Sequence, residues 1–259
     1  IDLRKDSGQF ELALQMAKVP AKERLAGEIK AEFDNVETEE SVARKRVDQT
    51  RALAIELTKQ VQNLSNEQIE AVHRFRDEIE VDLNRFNENR LAAYIRLAND
   101  ISMPAQQKLA LAISGWLLGS NNAIENLAIV QSMFSVRDLV REYLNETTTL
   151  QRRTAILKEL ATKESGSPAI LDSMIQQMKP IEPTDAVENY TGEMAIDFQV
   201  EVPGTVANPD PIQFRCMAHL PPQYNPYRKY PLIISLPGGT QPLEQNMEIW
   251  CGKYNQKLR

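Results

Sequence analysis

The sequence predicts a mainly α protein. An N-terminal helical domain over residues 1–180, with a long helical hairpin and a short-helix bundle, precedes a small β segment. Three observations predict this. Apolar residues recur in steps of three and four along residues 47–97, the spacing of a heptad seam. Shorter apolar-periodic segments, separated by Ser, Asn and Gly, continue to about residue 178. The composition then changes near residue 180: before it proline occurs only at Pro20, Pro104 and Pro168, and after it proline is dense and β-branched residues fall in short runs.

The hairpin is expected over about 38–98. Its first seam is Val47, Thr50, Ala54, Leu57, Val61 and Leu64. Ser65 followed by Gln68 is a capping box and starts the second helix. The second seam is Ile69, Val72, Arg76, Ile79, Leu83, Phe86, Arg90, Ala93 and Leu97. Helices of this length run roughly 40 to 50 Å at about 1.5 Å per residue. Arg76 and Arg90 within the seam are expected to pack their stems and to send their charged heads to water or a carboxylate. Glu37, Glu39 and Glu40 read as an acidic first turn, and Arg44-Lys45-Arg46 as a solvated face.

The bundle is expected over about 104–178. Ser102-Met103-Pro104 reads as a helix start. Helices are expected near 104–118, 121–133, 135–145, 148–163 and 167–178. Trp116, with Leu117 and Leu118, is expected in the bundle core. Residues 181–193 read as a linker. Three strands are expected, at 194–202, 212–220 and 230–236, and a helix from 243 to 254. The third strand, Tyr230 to Leu236, is continuously apolar and so is expected to be buried on both faces.

Bulk properties exclude several functions. The chain has 259 residues, 42% of them hydrophobic and 25% charged, which is ordinary globular composition. A net charge of −6 argues against nucleic acid as a partner, because a phosphate backbone needs a clustered basic face. No membrane span is expected: the most apolar stretch, Leu109 to Leu118, falls short of the roughly 20 residues a span needs and contains Ser114 and Gly115. No cofactor or metal is expected, since there is no P-loop, dinucleotide fingerprint or zinc spacing. Two cysteines, Cys216 and Cys251, fit either an oxidising or a reducing compartment. The chain opens on Ile1, so a processed or cut N-terminus is expected and the compartment stays open.

The stretch with the clearest chemistry is "KYPLIISLPGG". A buried strand that ends on Gly238 and Gly239 lets the backbone approach a ligand and aim its N–H groups above the strand end. That geometry suits a developing oxyanion. A plain tight turn is the alternative reading of two glycines after a strand.

The wider segment "FRCMAHLPPQYNPYRKYPLIISLPGG" resembles the opening of an α/β-hydrolase domain, in the esterase and prolyl-oligopeptidase-like branch. Leu220-Pro221-Pro222-Gln223-Tyr224 matches its "LPPxY" segment. Tyr230 to Leu236 matches the strand that follows, and Pro237-Gly238-Gly239 falls where such enzymes carry His-Gly-Gly. "EQNMEIWCGKY" (244–254) resembles the helix after that loop. The resemblance covers residues 194–259. It implies a serine hydrolase acting on an ester or a peptide bond, with Gly238, Gly239 and Thr240 as backbone oxyanion-hole candidates. Pro237 departs from the pattern.

The family's nucleophile, acid and histidine have no counterpart. No G-x-S-x-G occurs: Gly115 and Gly119 have the spacing but enclose no serine. The two histidines, His73 and His219, are not placed as a family histidine would be. The 259 residues are therefore expected to be the front part of such an enzyme and inactive alone. Cys216 and His219, three apart on a strand, face opposite ways and form no catalytic pair. His73 and Asp77 share a helical turn but lack a third metal ligand. A second reading stands beside the hydrolase: a non-enzymatic helical module that binds a protein partner or a second copy of itself.

Overall fold

The computed structural model describes residues 27–145, 147–179, 194–202, 212–220, 224–225, 228, 230–239 and 241–251. The protein is mainly helical, with a small β segment. By contacts the chain divides into two units. One is Thr38–Pro183 with Pro226–Arg228; the other is Ile1–Glu37, Thr184–Asn225 and Lys229–Arg259. The expected linker at 181–193 lies outside the described residues.

The helical unit takes in α1 (Gly27–Gln60), a helix of 34 residues, from Thr38 onward. Val47, Thr50, Ala54 and Leu57 of the predicted seam are buried along it, as is Ala43, while Val61 and Leu64 lie past its end and are half-buried. The chain turns through Asn63, whose φ of 58° is a left-handed conformation that asparagine tolerates well. Ser65 then caps α2 (Asn66–Asp82) as a capping box. The Gln68 N–H donates to Ser65 Oγ at 3.3 Å, and the Ser65 N–H donates to Gln68 Oε1 at 3.0 Å.

The second arm of the hairpin departs from expectation. α2 buries Ala71, Val72, Phe75 and Ile79, while Ile69 and Arg76 of the predicted seam are exposed. The helix also stops at Asp82 instead of running to residue 98. Two asparagines stop it, by offering the backbone partners that a helix would otherwise supply. Asn87 is fully buried; its Oδ1 accepts from the Asn84 N–H at 2.8 Å and its Nδ2 donates to the Asp82 carbonyl at 2.9 Å. Asn84 Oδ1 accepts from the Phe86 N–H at 2.9 Å. A 3₁₀ turn (Glu88–Leu91) and the short α3 (Ala92–Leu97) follow. Tyr94 returns to α1 through a 2.9 Å hydrogen bond from its hydroxyl to the Leu53 carbonyl.

α4 (Ala105–Leu118) is the centre of the unit: every residue from Leu109 to Leu118 is buried. A helix apolar on all sides must be surrounded by protein. Ser102 does not cap it; that hydroxyl donates to Asp100 Oδ1 at 2.6 Å, and Pro104 occupies the cap position. Gly115 lets the 3₁₀ turn lie against α4, since a Cβ there would sit 2.6 Å from the Arg90 carbonyl oxygen.

The helix expected at 121–133 is replaced by a 3₁₀ turn (Ser120–Asn122) and a single turn, α5 (Leu127–Val130). The segment between them is held extended by the buried Ser114, whose hydroxyl accepts the Ile124 N–H at 2.7 Å and donates to the Ala110 carbonyl at 2.6 Å. α6 (Met133–Leu144), α7 (Leu150–Leu160) and α8 (Pro168–Ile175) complete the bundle near their expected positions. Thr149 caps α7 by accepting from the Arg152 N–H.

The second unit carries β1 (Met194–Val202) and β2 (Ile212–Leu220), paired antiparallel from Met194↔Leu220 to Val202↔Ile212. The turn between them lies outside the described residues. The expected third strand is a correction. Residues 230–236 pair with no strand among the described residues, and Leu232, Ile233, Ile234 and Leu236 are 82%, 68%, 77% and 86% exposed. An apolar run becomes a buried strand only when neighbours flank it, and the two described strands pair with each other. α9 (Leu243–Cys251) follows the glycine loop. No helix among the described residues is long and apolar enough to cross a membrane.

Two substitutions test the packing. Leu83 is 3% exposed in the core. Leu83→Ala should therefore cost on the order of 2 to 5 kcal/mol; an unchanged denaturation midpoint would contradict its burial. Gly115→Ala should cost roughly 1 to 3 kcal/mol, because the added methyl meets backbone. Chemical denaturation of the variant reads this directly, and wild-type stability would mean that the 3₁₀ turn moves freely.

Candidate functional site

Two places carry chemistry, one in each unit. The first is the glycine loop. Gly239 has φ of 60°, a conformation that glycine adopts without strain. A Cβ at Gly238 or Gly239 would meet nothing within 4 Å, and both residues are exposed. The Gln241 N–H donates to the Gly238 carbonyl at 3.2 Å and closes the turn. Thr240 lies outside the described residues. Helix α9 is tied to the run that precedes the loop: the Trp250 indole N–H donates to Ser235 Oγ at 2.9 Å and Asn246 Nδ2 donates to the same oxygen at 3.1 Å. Arg215 of β2 pairs with Glu244 of α9 at 2.8 Å. Apolar run, glycine turn and helix therefore form one hydrogen-bonded piece. The Tyr224 and Tyr230 rings stack with centroids 5.4 Å apart, and the Tyr230 hydroxyl accepts from the Asn225 N–H.

The second place is a cavity of about 240 Å³ in the helical unit. Three helices meet at its wall. Glu78 of α2 accepts from Arg137 Nη1 of α6 at 2.9 Å, and Arg137 Nη2 bonds its other oxygen. The indole N–H of Trp116, on α4, also donates to Glu78, at 2.9 Å. Burial pushes the Glu78 carboxyl up, but the hydrogen bonds and charge of Arg137, with the Trp116 indole, outweigh it and hold the group below the usual carboxylate range.

Beside this junction Arg74 grips Asp138 with two bonds of 2.7 and 2.8 Å. The guanidinium carbons of Arg74 and Arg137 lie 4.8 and 5.0 Å from the Phe134 ring centroid, within cation–π range. Lys179 pairs with Asp82.

Arg90 also lines the cavity. Its head does not reach for water: the residue is 8% exposed, its guanidinium lies 5.4 Å from the Trp116 ring centroid, and Nη1 donates to the Trp116 carbonyl at 3.5 Å. Trp116 is in the core as predicted, and it also supplies a hydrogen bond at the cavity wall. The other cavity charges come from separated segments, and none stands out in the sequence. An Arg–Glu pair at i, i+4 on α2 and an Arg–Asp–Arg cluster on α6 are the only local signals, and both look like solvated helix faces.

His73 and Asp77 are both exposed on α2. Cys216 and His219 stand opposite Phe198 and Ala195 in the hairpin register, on alternate faces. Among the described residues no cluster of three His, Cys, Asp or Glu has a metal-binding arrangement. Compared with protein-family models, with curated proteins and with solved structures, the chain gives no match.

The depressed Glu78 carboxyl has a consequence for stability. A carboxylate held below its unfolded value stabilises the fold above that value, and the contribution is lost as pH falls through the folded one. Unfolding free energy should therefore drop as pH goes below about 4.3. Glu78→Gln should cost about 1 to 3 kcal/mol at pH 7 and flatten this acid dependence. Denaturant midpoints at pH 7 and pH 3 decide it; parallel pH profiles for variant and wild type would exclude Glu78 as the source.

Proposed function

We propose that residues 194–251 form the opening of an α/β-hydrolase-type sheet in a serine hydrolase acting on an ester or a peptide bond. The observation that carries the reading is the apolar run, left-handed glycine turn and helix held as one piece through Ser235. In such a sheet the run is an inner strand, and the N–H groups at Gly238 and Gly239, with Thr240, face the oxyanion of the tetrahedral intermediate. Open space around both glycines supports this, because a substrate carbonyl needs that room. The exposure of Leu232, Ile233, Ile234 and Leu236 fits a strand whose neighbours lie outside the described residues. The nucleophile, acid and histidine are not assigned to any residue of this chain.

The same exposure favours a second reading, a module whose apolar run is covered by a protein partner. The test uses the native polypeptide from its source. A hydrolase should react covalently with a serine-directed fluorophosphonate at a serine outside these 259 residues and should cleave p-nitrophenyl esters. Gly239→Val should lower that turnover roughly a hundredfold, because a β-branched residue cannot hold the left-handed turn that aims the donors. A native polypeptide that neither labels nor hydrolyses would discard the enzyme and leave the module.

A further inference from the structure

We propose that Ser235 is a positioning residue for the glycine loop: its hydroxyl, bonded by two side chains of α9, sets the direction in which the N–H groups of Gly238 and Gly239 point. The inference deepens the hydrolase reading and rests on it.

The first ground is what fails to hold those two donors. Glycine has the widest choice of backbone conformation. A Cβ at Gly238 or Gly239 would meet no atom within 4 Å, and both residues are exposed. Side-chain packing therefore does not aim their N–H groups. The hydrogen bond from the Gln241 N–H to the Gly238 carbonyl closes the turn but does not fix it to the rest of the unit. The left-handed φ of 60° at Gly239 has to be maintained from the two ends of the loop.

The second ground is what does hold the ends. Pro237 and Pro242 flank the turn, and each ring fixes its own φ near about −65°. Outside them the chain is clamped. Ser235 stands on the incoming run, and Asn246 and Trp250 stand on the outgoing helix. Their spacing of four residues puts both on one face of α9. The Trp250 indole N–H donates to Ser235 Oγ at 2.9 Å, and Asn246 Nδ2 donates to it at 3.1 Å. One hydroxyl thus joins the chain before the loop to the helix after it. A loop whose ends are tied together keeps few conformations. The Arg215–Glu244 pair fastens the first turn of α9 to β2, not to the run, so it leaves this task to Ser235.

The third ground is residue type. Ser235 is the polar residue in the run Leu232 to Leu236, and it is half-buried where the four apolar residues around it are exposed. The polar side chain is the one that α9 covers.

The chemical consequence follows from how an oxyanion hole works. Its donors count only when aimed at the place where charge develops in the transition state. Ser235 acts through the loop and has no role in ground-state binding. Its loss should slow the chemical step and spare substrate affinity.

The test is steady-state kinetics of the native polypeptide on p-nitrophenyl esters, with each variant checked for fold by circular dichroism. Ser235→Ala removes the acceptor that both donors share. It should lower kcat about tenfold or more and leave KM within about twofold. Trp250→Phe keeps a ring and deletes the N–H; it should lower kcat about threefold, since Asn246 remains. Added to Ser235→Ala, it should change kcat no further. Ser235→Thr keeps the hydroxyl and should recover most of the rate lost in Ser235→Ala. Where Ser235→Ala does not fold, Trp250→Phe reads the same clamp from the helix side. Wild-type kcat in the folded variants overturns the inference and leaves the hydrolase reading in place. So does a loss confined to KM, or one that Ser235→Thr fails to relieve. A native polypeptide with no turnover overturns the hydrolase reading and this inference with it.

Discussion

The helical unit depends on one constraint: α4 is apolar around its whole circumference and has to be enclosed. Ten consecutive residues, Leu109 to Leu118, are buried. Enclosing a cylinder of side chains needs neighbours on every side, and no single helix can supply them. The chain answers with short elements that wrap: the 3₁₀ turn at 88–91, α3, α5 and α8 each touch α4. The short α3 and α5 follow from this demand, since a long helix cannot bend around a rod about 10–12 Å across. Gly115 brings one wrapping element to backbone contact, and the buried Ser114 fixes another through its hydroxyl.

Once α4 is enclosed, the position of Trp116 is determined, and with it the charged junction. The indole ring packs in the core while its N–H points at Glu78. Desolvating a carboxylate is expensive, so Glu78 is tolerable there only with Arg137 beside it. That pair in turn holds α2 against α6. A core of leucines would pack the same helices as well, and replacing buried ion pairs by apolar residues is often neutral or stabilising.

The sequence displayed some of this and hid the rest, for identifiable reasons. Local signals were legible. The Ser65–Gln68 capping box and the heptad of α1 act within a few residues of themselves, so pattern and structure agree. The break after Asp82 was hidden because the heptad spacing continues through Leu83, Arg90 and Ala93, all of which are buried, while the chain between them is not one helix. What breaks it is side-chain competition from Asn84 and Asn87, and an asparagine in a helical pattern carries no mark of which backbone group it will bind. The helix expected at 121–133 failed for the same kind of reason: Ser114, upstream on α4, takes the Ile124 N–H. The glycine loop was visible because its residues are contiguous. The cavity was not, because α2, the 3₁₀ turn, α6 and the segment after α8 contribute ordinary surface-type charges that meet only in three dimensions.

The apolar run at 232–236 shows how far pattern goes and where geometry takes over. Pro231 and Pro237 bracket it, and proline removes a ladder donor only at its own position. The residues between, Leu232 to Leu236, keep their N–H groups, so the run can pair as a strand. It pairs with none among the described residues, and an unpaired apolar run of this kind invites association. Pairing capacity and exposure fit an inner strand of a larger sheet and a docking strand equally well. The glycine turn separates them. A docking strand needs no left-handed residue at its end and no helix fastened to its middle. Here Gly239 is left-handed, and Ser235, within the run, is bonded by two side chains of α9. A run whose exit is shaped and whose helix is already attached suits the oxyanion-loop arrangement proposed above better than it suits a free docking strand.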